Sequence, residues 1–321
     1  MKGKLKNSFI IVAVIGLLVI SLTGLLPKGD DEYSGWAFYA GSNSGNRYSS
    51  GDQITKKNVS QLQQVWAYDS KDSTGRGGAM PTNPIVVDGI LFGVSPQMNL
   101  FAVDAATGKE KWVFKPTHPE SRGSIRGLSF WKDENGTDKR IIYASGAYMY
   151  QVNAADGKIV KSFGENGALD LRKDIDVDEA SPNASVQGNS AVVIYKDMMI
   201  TGMRVSEGTD ALPGHIRGLD VRTGKRVWIF HTIPHPGEPG YETWEDKDAW
   251  KRVGGANNWA GITLDEKRGI VYIPTGSATP DFFGGNRLGA NLYANSLIAL
   301  DAATGKYIWH FQVVHHDMWD R

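Results

Sequence analysis

One short phrase recurs along the chain and constrains the fold more than any other feature. AVDAATGKEKWVF covers residues 102–114, GLDVRTGKRVWIF covers 218–230, ALDAATGKYIWHF covers 299–311, and a decayed copy, QVNAADGKIVKSF, covers 151–163. Each copy alternates up to an Asp or Asn, turns at a Gly, and returns through aromatic or apolar residues. This pattern predicts a β-hairpin, because glycine supplies the positive φ that a tight turn needs.

Further hairpins lie between the copies, so each copy has additional strands beside it. PIVVDGILFGV turns at Asp88-Gly89, and SAVVIYKDMMITGM and ITLDEKRGIVYIPTG have the same two-run pattern. Hairpins that cannot bury both faces alone bury them by stacking as four-stranded blades. We therefore predict an all-β chain whose residues 28–321 form part of a β-propeller, with about four to five blades. The alternative, a β-sandwich, leaves the repeated phrase unexplained.

The composition excludes several classes of function. Lys and Arg together number 35, as do Asp and Glu, so the formal net charge is zero and we expect no nucleic-acid partner. Cysteine is absent, which rules out structural disulfides, thiolate metal sites and covalently attached c-type haem. Redox chemistry in this chain would therefore require a bound organic cofactor, or a metal held by oxygen and nitrogen ligands.

The N-terminus has the pattern of a targeting segment. MKGKLKNS carries three lysines, and Phe9 to Leu26 is an uncharged apolar run. Its length is near the minimum for a membrane-spanning helix. We interpret residues 1–27 as a signal peptide or membrane anchor that contains an N-terminal hydrophobic helix. Because the lysines precede the apolar run, the positive-inside rule predicts that the bulk of the chain is extracytoplasmic, in the periplasm.

With these repeats and closing phrases, the chain resembles the pyrroloquinoline quinone (PQQ)-dependent dehydrogenases. That family consists of quinoproteins built on an eight-bladed β-propeller, and D-x-x-T-G-K-x-x-W is similar to its tryptophan-docking motif. RGLSFW, GGANNWAGITLD, TPDFFGGNR and VVHHDMWDR are similar to the glucose/quinate/shikimate branch. The resemblance runs from about Ser34 to Arg321, and it implies an N-terminal fragment with about half of the blades.

The resemblance also implies which residues bind the cofactor. SIRGLSFW is similar to the segment whose arginine binds a PQQ carboxylate, which implies that role for Arg126. ANNW is similar to the segment whose tryptophan carries the quinone ring, which implies Trp259, with Asn257 and Asn258 beside it. The chemistry is suitable, because arginine can pair with a carboxylate through two hydrogen bonds and an indole can stack on a flat ring.

Three other segments imply the metal ligands and the base. MRVSEG is similar to the segment whose glutamate binds Ca²⁺, which implies Glu207, although the glucose branch has an Asp-Asn pair near this point. TGSATPD is similar to a segment with a side-chain oxygen near the metal, for which Ser277 and Thr279 are alternatives; Thr279 is also expected to bind the cofactor. HHDMWD is similar to the segment whose last aspartate is the catalytic base, which implies Asp320, also in contact with the metal.

Each of these residues also has a purely structural interpretation. Asp320 has the spacing of a solvated acid at a strand end, Trp259 that of a core residue, and Arg126 that of a surface ion-pair partner. His315 and His316 are adjacent, so on a strand they would point to opposite faces and would rarely bind one metal ion. We interpret both histidines as structural, with His316 near the site.

The resemblance implies an extracytoplasmic quinoprotein dehydrogenase. With PQQ and Ca²⁺ it would oxidise a hydroxyl of a sugar, polyol or other alcohol, and a membrane quinone would accept the electrons. A non-catalytic β-propeller scaffold is the alternative, because such a protein shares the docking phrase without needing the cofactor residues; an inactive fragment is a third interpretation. Convergence of Arg126, Glu207, Trp259 and Asp320 on one cavity would favour the enzyme.

Overall fold

The computed structural model describes residues 35–73, 82–118, 125–177 and 184–320. They fall into two compact units, of which the smaller contributes residues 49–62 and the larger residues 35–48 and 63–320. The smaller unit contains a 3-10 helix at Val59–Gln61. The signal peptide or anchor expected at residues 1–27 lies outside the described residues. Within the described ranges, none of the helices has the length and apolar character needed to span a membrane.

Most of the larger unit consists of four antiparallel sheets with four strands each. The first contains β1 (Ile85–Val87), β2 (Ile90–Val94), β3 (Leu100–Asp104) and β4 (Glu110–Phe114); the second contains β5 (Ser129–Lys132), β6 (Lys139–Ser145), β7 (Tyr148–Asn153) and β8 (Ala168–Asp170). The third contains β10 (Val193–Tyr195), β11 (Met198–Thr201), β13 (Ile216–Asp220) and β14 (Arg226–Phe230), and a ribbon pairs β9 (Val186–Gln187) with β12 (Arg204–Val205). The fourth contains β15 (Thr263–Asp265), β16 (Ile270–Pro274), β17 (Ser296–Asp301) and β18 (Tyr307–Gln312). The predicted four-stranded blades are confirmed.

Helical structure is confined to short turns between the strands of the larger unit. They are the α-helix α1 (Ala249–Arg252) and 3-10 helices at Tyr241–Thr243 and Gly284–Asn286. All three lie between β14 and β17 in the sequence, in the connections that reach the cavity described below.

The three intact repeat phrases form the hairpins β3–β4, β13–β14 and β17–β18, and each turn has the same side-chain lock. In the first, Asp104 Oδ1 accepts hydrogen bonds from the Thr107 backbone N–H at 2.9 Å and from its hydroxyl at 2.8 Å. The same two bonds recur between Asp220 and Thr223 and between Asp301 and Thr304. Each turn closes on a glycine with φ between +69° and +77°. The Asp-x-x-Thr-Gly pattern therefore closes the turn of its own hairpin, as the sequence predicts.

The turn glycine of each repeat is covered by an aromatic side chain from an earlier part of the chain. Three of these side chains are tryptophans whose indole N–H donates to a backbone carbonyl beside the glycine. Trp66 donates to Ala105 at 3.2 Å, Trp112 to Ala154 at 3.2 Å, and Trp228 to Ala302 at 3.3 Å. A Cβ added to Gly108, Gly157 or Gly305 would lie 2.4–2.7 Å from the covering indole. In the decayed repeat, Phe163 packs on Gly224 instead. The docking of tryptophan on a neighbouring blade is thus confirmed.

Apolar side chains fill the space between consecutive sheets. One buried cluster joins Phe92 and Leu100 to Tyr150, and the next two continue from the second sheet to the third and from the third to the fourth. Burial of these residues fixes the sheets face to face. Because neighbouring strands are antiparallel, the start of a sheet's first strand, the end of its second and the end of its fourth lie at the same end of that sheet.

Candidate active site

Loops from that end of the sheets surround a cavity of about 600 Å³. Six of the residues implied by the resemblance line it: Arg126, Glu207, Asn257, Trp259, Ser277 and Asp320. Arg126 precedes β5, Trp259 precedes β15, and Asp320 follows β18. A neighbouring cavity of about 300 Å³ shares Tyr39 with the first, but no carboxylate lines it, so it offers no candidate base. The larger cavity is therefore the candidate active site.

Trp259 and Arg126 form one wall of this cavity. The Trp259 side chain is 45% exposed, and the Arg126 guanidinium carbon lies 4.9 Å from the centre of its ring. The backbone carbonyl of Trp259 accepts hydrogen bonds from the Ser190 hydroxyl at 2.8 Å and the Asn189 amide at 3.3 Å. The backbone N–H of Arg126 donates to the Asn189 carbonyl at 2.8 Å. An accessible indole with a guanidinium beside it fits a flat, negatively charged ligand.

Two buried asparagines support that wall. Asn257 is 9% exposed and donates from Nδ2 to the carbonyl of Met203 at 2.9 Å. Asn189 is 5% exposed, and its Oδ1 has no hydrogen-bond partner within the described chain. An amide oxygen that is buried without a partner is costly, so this atom favours a ligand that can donate to it.

Three carboxylates also line the cavity. Asp281, which the resemblance did not assign, lines it together with Glu207 and Asp320. The Asp281 backbone N–H donates to the Glu207 carbonyl at 3.2 Å, and the Asp320 N–H donates to the Asp281 carbonyl at 3.2 Å. Burial, with the negative charges of Asp320 and Glu207, raises the pKa of Asp281 to about 7, against the opposing effect of Arg287. This concentration of negative charge favours a hard cation with oxygen ligands.

A hydrogen-bond network holds the segment that carries Asp320. The Ser277 hydroxyl donates to Asp317 Oδ2 at 2.5 Å, and the Asn295 amide donates to both groups at 3.1 Å and 3.2 Å. Arg287, only 1% exposed, donates to the Asp317 carbonyl at 2.5 Å. Asp320, the base implied by the resemblance, therefore lies three residues after Asp317, which is fixed by these hydrogen bonds.

Two of the predicted site residues do not line the cavity. Asn258 donates from Nδ2 to the carbonyls of Gly261 at 2.9 Å and Pro274 at 2.7 Å, so its amide is used to fix the loop that carries Trp259. The Thr279 hydroxyl accepts from a backbone N–H at 3.2 Å and is buried. Of the two alternatives for the side-chain oxygen near the metal, Ser277 is the one that lines the cavity.

His316 has a structural hydrogen bond, and the densest histidine cluster lies elsewhere. Nε2 of His316 is 2.9 Å from the carbonyl of Gly284, and neither His315 nor His316 is among the residues lining the cavity. Within the described residues, three histidines place ligand atoms within 4.8 Å of one another: His215, His231 and His235. The Thr232 N–H donates to Nδ1 of His215, so the proton of this neutral ring is on Nε2. The ring thus has no free lone pair for a metal.

The sheets define a β-propeller, and its cavity is lined by an indole with a guanidinium beside it and by a group of carboxylates. The chain belongs to the PQQ-dependent dehydrogenases: the family model described as "PQQ: Glucose/ethanol/alcohol dehydrogenase, beta-propeller domain" matches residues 36–321. Both the family and the fold inferred from the repeats are confirmed.

Relatives of this chain include enzymes of the branch suggested by the sequence. It is 33% identical over 316 residues to quinoprotein glucose dehydrogenase A of Acinetobacter calcoaceticus and 31% identical over 313 residues to quinate/shikimate dehydrogenase (quinone) of Acinetobacter baylyi. Each match covers 89% of this chain and 38% of the relative, so the chain spans well under half of either protein. The crystal structure of quinohemoprotein alcohol dehydrogenase from Comamonas testosteroni superposes with a TM-score of 0.74 at 26% identity, covering 89% of this chain and 42% of that one.

Several cavity residues were not found by sequence reasoning, among them Asn189, Arg204 and Asp281. Asn189 stands in a phrase without a recognisable motif, and only the fold brings it to the cavity, whereas Arg204 lies in MRVSEG, the phrase that directed attention to Glu207. Asp281 had a signal, since it is the last residue of TGSATPD, the phrase that directed attention to Ser277 and Thr279.

Proposed function

We propose that this chain forms the PQQ- and Ca²⁺-binding part of a dehydrogenase that oxidises a hydroxyl of a sugar, polyol or other alcohol. One observation carries the proposal: Arg126, Glu207, Trp259 and Asp320, which are far apart in the sequence, line the same cavity. A non-catalytic scaffold would have no reason to gather an arginine, an accessible indole and carboxylates at one place. The names of the relatives, which are glucose, quinate/shikimate and alcohol dehydrogenases, support the same substrate class.

The residues present fit both groups. A flat ring that bears carboxylates would stack on Trp259, pair with Arg126, and offer a ring N–H to the unpartnered Oδ1 of Asn189. Carboxylate and hydroxyl oxygens are the ligands that Ca²⁺ prefers, and the cavity offers them from Glu207, Ser277 and Asp320. Asn257 lines the cavity and is held by its hydrogen bond to the Met203 carbonyl, and we assign to Asn258 and Thr279 the role of supporting the loops around it.

When bound, PQQ supplies the hydride acceptor and the cation makes it more electrophilic. Trp259 fixes the plane of the bound ring and Arg126 its orientation, so that the substrate carbon is presented in one geometry. Asp320 is exposed toward the cavity and has no salt-bridge partner within the described chain, so its carboxylate is free to accept the proton of the substrate hydroxyl. The network of Ser277 and Asp317 limits the motion of the segment that carries this base.

The electron acceptor that we propose is a membrane quinone, reached from the periplasmic side. The quinate/shikimate dehydrogenase and alcohol dehydrogenase relatives carry "quinone" in their names. The basic and apolar N-terminal segment supports membrane attachment. Cell fractionation with a periplasmic marker tests this location; recovery of the complete protein with cytoplasmic markers would contradict it.

Binding of PQQ by the purified chain tests the site. With Ca²⁺ present, we expect PQQ to quench tryptophan fluorescence, and Trp259→Ala to weaken binding about fivefold, since an aromatic contact contributes about 1 kcal/mol. Trp309→Ala is the matched control, because Trp309 is similarly exposed at 40% but does not line the cavity. Equal affinities for the wild type, Trp259→Ala and Trp309→Ala would rule out this cavity as the cofactor site.

Turnover is tested on the complete product of the gene that encodes this sequence. We expect reduction of an artificial dye with glucose, quinate or a simple alcohol, and Asp320→Asn to lower the rate by about 10²-fold or more while PQQ binding is kept. Asp197→Asn removes an exposed carboxylate outside the cavity and should have no effect. A protein that binds neither PQQ nor Ca²⁺ would instead be a scaffold.

A further inference from the structure

We propose that Asp281 is a third carboxylate that faces the metal ion, beside Glu207 and Asp320. The inference rests on the proposed function, because it concerns the same cavity, but it assigns a role to a residue that the sequence resemblance left without one. It also predicts how the ion-free and ion-bound chains differ in stability, which no purely structural role of Asp281 would explain.

The backbone places the three acids side by side. Asp281 lies between the other two: its N–H donates to the carbonyl of Glu207, its own carbonyl accepts the N–H of Asp320, and both distances are 3.2 Å. The three loops that carry these residues, which follow β12, β16 and β18, are thereby joined directly through Asp281. The side chains of all three residues then line one cavity.

The carboxylate of Asp281 is partly buried and has no compensating partner within the described chain. Its Oδ1 is buried without a hydrogen-bond partner in the described chain. Glu207 has Arg204 at 3.8 Å, but no basic side chain of the described ranges lies within salt-bridge distance of Asp281. The nearby Arg287 already donates to the Asp317 carbonyl and to Asn291 Oδ1. A partly buried carboxylate without hydrogen bonds or an ion pair is costly, and a bound cation would compensate it.

Ser277 is less available to an ion than Asp281 is. The Ser277 hydroxyl donates its proton to Asp317 and also accepts from Asn295, at 2.5 Å and 3.1 Å. One lone pair of a neutral oxygen is left, whereas Asp281 offers a negatively charged oxygen. Among the described residues, only the histidine cluster brings three ligand atoms within 4.8 Å of one another. The three carboxylates are more widely spaced than the histidines, and all three line the same cavity.

The test measures metal binding and stability rather than turnover. Ca²⁺ binding is measured by calorimetry, and Tb³⁺ binding by luminescence excited through tryptophan, on the full chain with and without PQQ. We expect Asp281→Asn to weaken both ions at least about tenfold and Glu207→Gln to weaken them similarly. Asp210→Asn is the matched control: Asp210 is exposed, accepts from Ser206 at 2.9 Å and does not line the cavity, so its loss should leave binding unchanged.

Thermal unfolding gives a second, independent readout. Because Asp281→Asn removes a charge that its neighbours repel, we expect the ion-free variant to be at least as stable as the wild type. The rise in Tm on adding Ca²⁺ should become smaller, because weaker binding stabilises the native state less. Asp281→Ser should behave in the same way, and so separates loss of charge from an effect of the asparagine side chain.

The outcomes distinguish this inference from the function on which it rests. If Glu207→Gln weakens ion binding but Asp281→Asn and Asp281→Ser change it less than twofold, Asp281 is structural and the inference is overturned. A lower ion-free Tm with an unchanged Ca²⁺-induced rise would overturn it as well. If neither Glu207→Gln nor Asp281→Asn affects binding, the ion does not use this cavity and the proposed function fails too.

Discussion

At the scale of single residues, His231 lies between two acids in a way that fixes its charge. Nδ1 is 2.8 Å from Glu238 and Nε2 is 3.2 Å from Asp176, so both ring nitrogens donate and the ring is an imidazolium. Burial by itself would lower the pKa of His231, but the hydrogen bonds and charges of Glu238 and Asp176 raise it overall. The neighbouring His215 and His235 have lowered pKa values because they are buried beside this positive charge.

We expect the stabilisation by His231 to be lost as the pH rises. Its folded pKa lies above the unfolded value of about 6.5, so the contribution is complete below pH ~6.5 and disappears as the pH passes the folded pKa. His231→Gln should therefore lower the free energy of unfolding by roughly 1 kcal/mol more at pH 6 than at pH 9, allowing for partial solvent exposure. Urea unfolding at both pH values measures this difference.

A second variant, Glu238→Gln, is needed because the neighbouring rings of His215 and His235 change the free energy of unfolding with pH in the opposite direction. His215 and His235 stabilise the chain above pH ~6.5 and lose this contribution as the pH falls through their lowered pKa values. Glu238→Gln removes one acid and leaves all three rings. It should therefore also lower the free energy of unfolding more at pH 6 than at pH 9. A pH-independent cost of His231→Gln would show that the imidazolium does not contribute to stability.

Residues of the candidate site were predictable from the sequence where a single phrase contains a residue of the required type. Trp259 and Asp320 were found from ANNW and HHDMWD, and both line the cavity. Asp281 was not found, because backbone hydrogen bonds to residues in two other loops bring it beside Glu207 and Asp320. For Asn258 the sequence could not show that backbone carbonyls already occupy its amide. Residue type is local information, whereas the choice of partner depends on the whole fold.

At the scale of elements, the turn glycine of each repeat serves two purposes. Gly305 adopts φ +69°, which the turn after β17 needs, and a Cβ on it would lie 2.4 Å from the indole of Trp228. The same indole donates to the Ala302 carbonyl at 3.3 Å. Glycine is therefore required both for the backbone conformation and for the contact that joins the third sheet to the fourth.

We expect these two requirements to be separable by substitution. Gly305→Ala should destabilise the chain by about 2–4 kcal/mol, since it combines the strain of a positive φ with overpacking against Trp228. Gly89→Ala is the control: Gly89 has a similar φ of +72° but no atom within 4 Å of an added Cβ, so only about 1 kcal/mol should be lost. Equal losses in urea unfolding would show that the docking contact contributes nothing.

The fold was predictable because each repeat contains the residues that form a turn and the tryptophan that contacts the neighbouring sheet. The Asp-x-x-Thr-Gly turns and the docking tryptophans are visible as phrases, and both are present as expected. The ribbon of β9 and β12 had no such signal, since only two residues pair on each side and they are separated by a whole hairpin. The docking of Phe163 on Gly224 was also invisible, because the decayed repeat has lysine where the others have tryptophan.

At the scale of the whole molecule, β18 and the residue that follows it carry exposed apolar side chains. Phe311 is 66% exposed, Val313 is 67% exposed and Trp309 is 40% exposed. Among the described residues β18 pairs only with β17, and no carbonyl accepts the indole N–H of Trp309, in contrast to the other repeat tryptophans. A paired strand with an open edge and apolar side chains favours association with other chains or with small apolar probes.

We therefore expect the purified chain to bind the dye ANS and to self-associate through this face. Replacing both Phe311 and Val313 by serine should lower ANS fluorescence at least twofold and reduce light scattering, because contiguous apolar surface is removed. Serine at Val65 and Val227 is the matched control, since these valines are also exposed, at 85% and 56%, but lie away from β18. If the control lowers ANS fluorescence as much as the β18 variant does, the binding reflects exposed apolar residues in general, and the specific role of the β18 face is wrong.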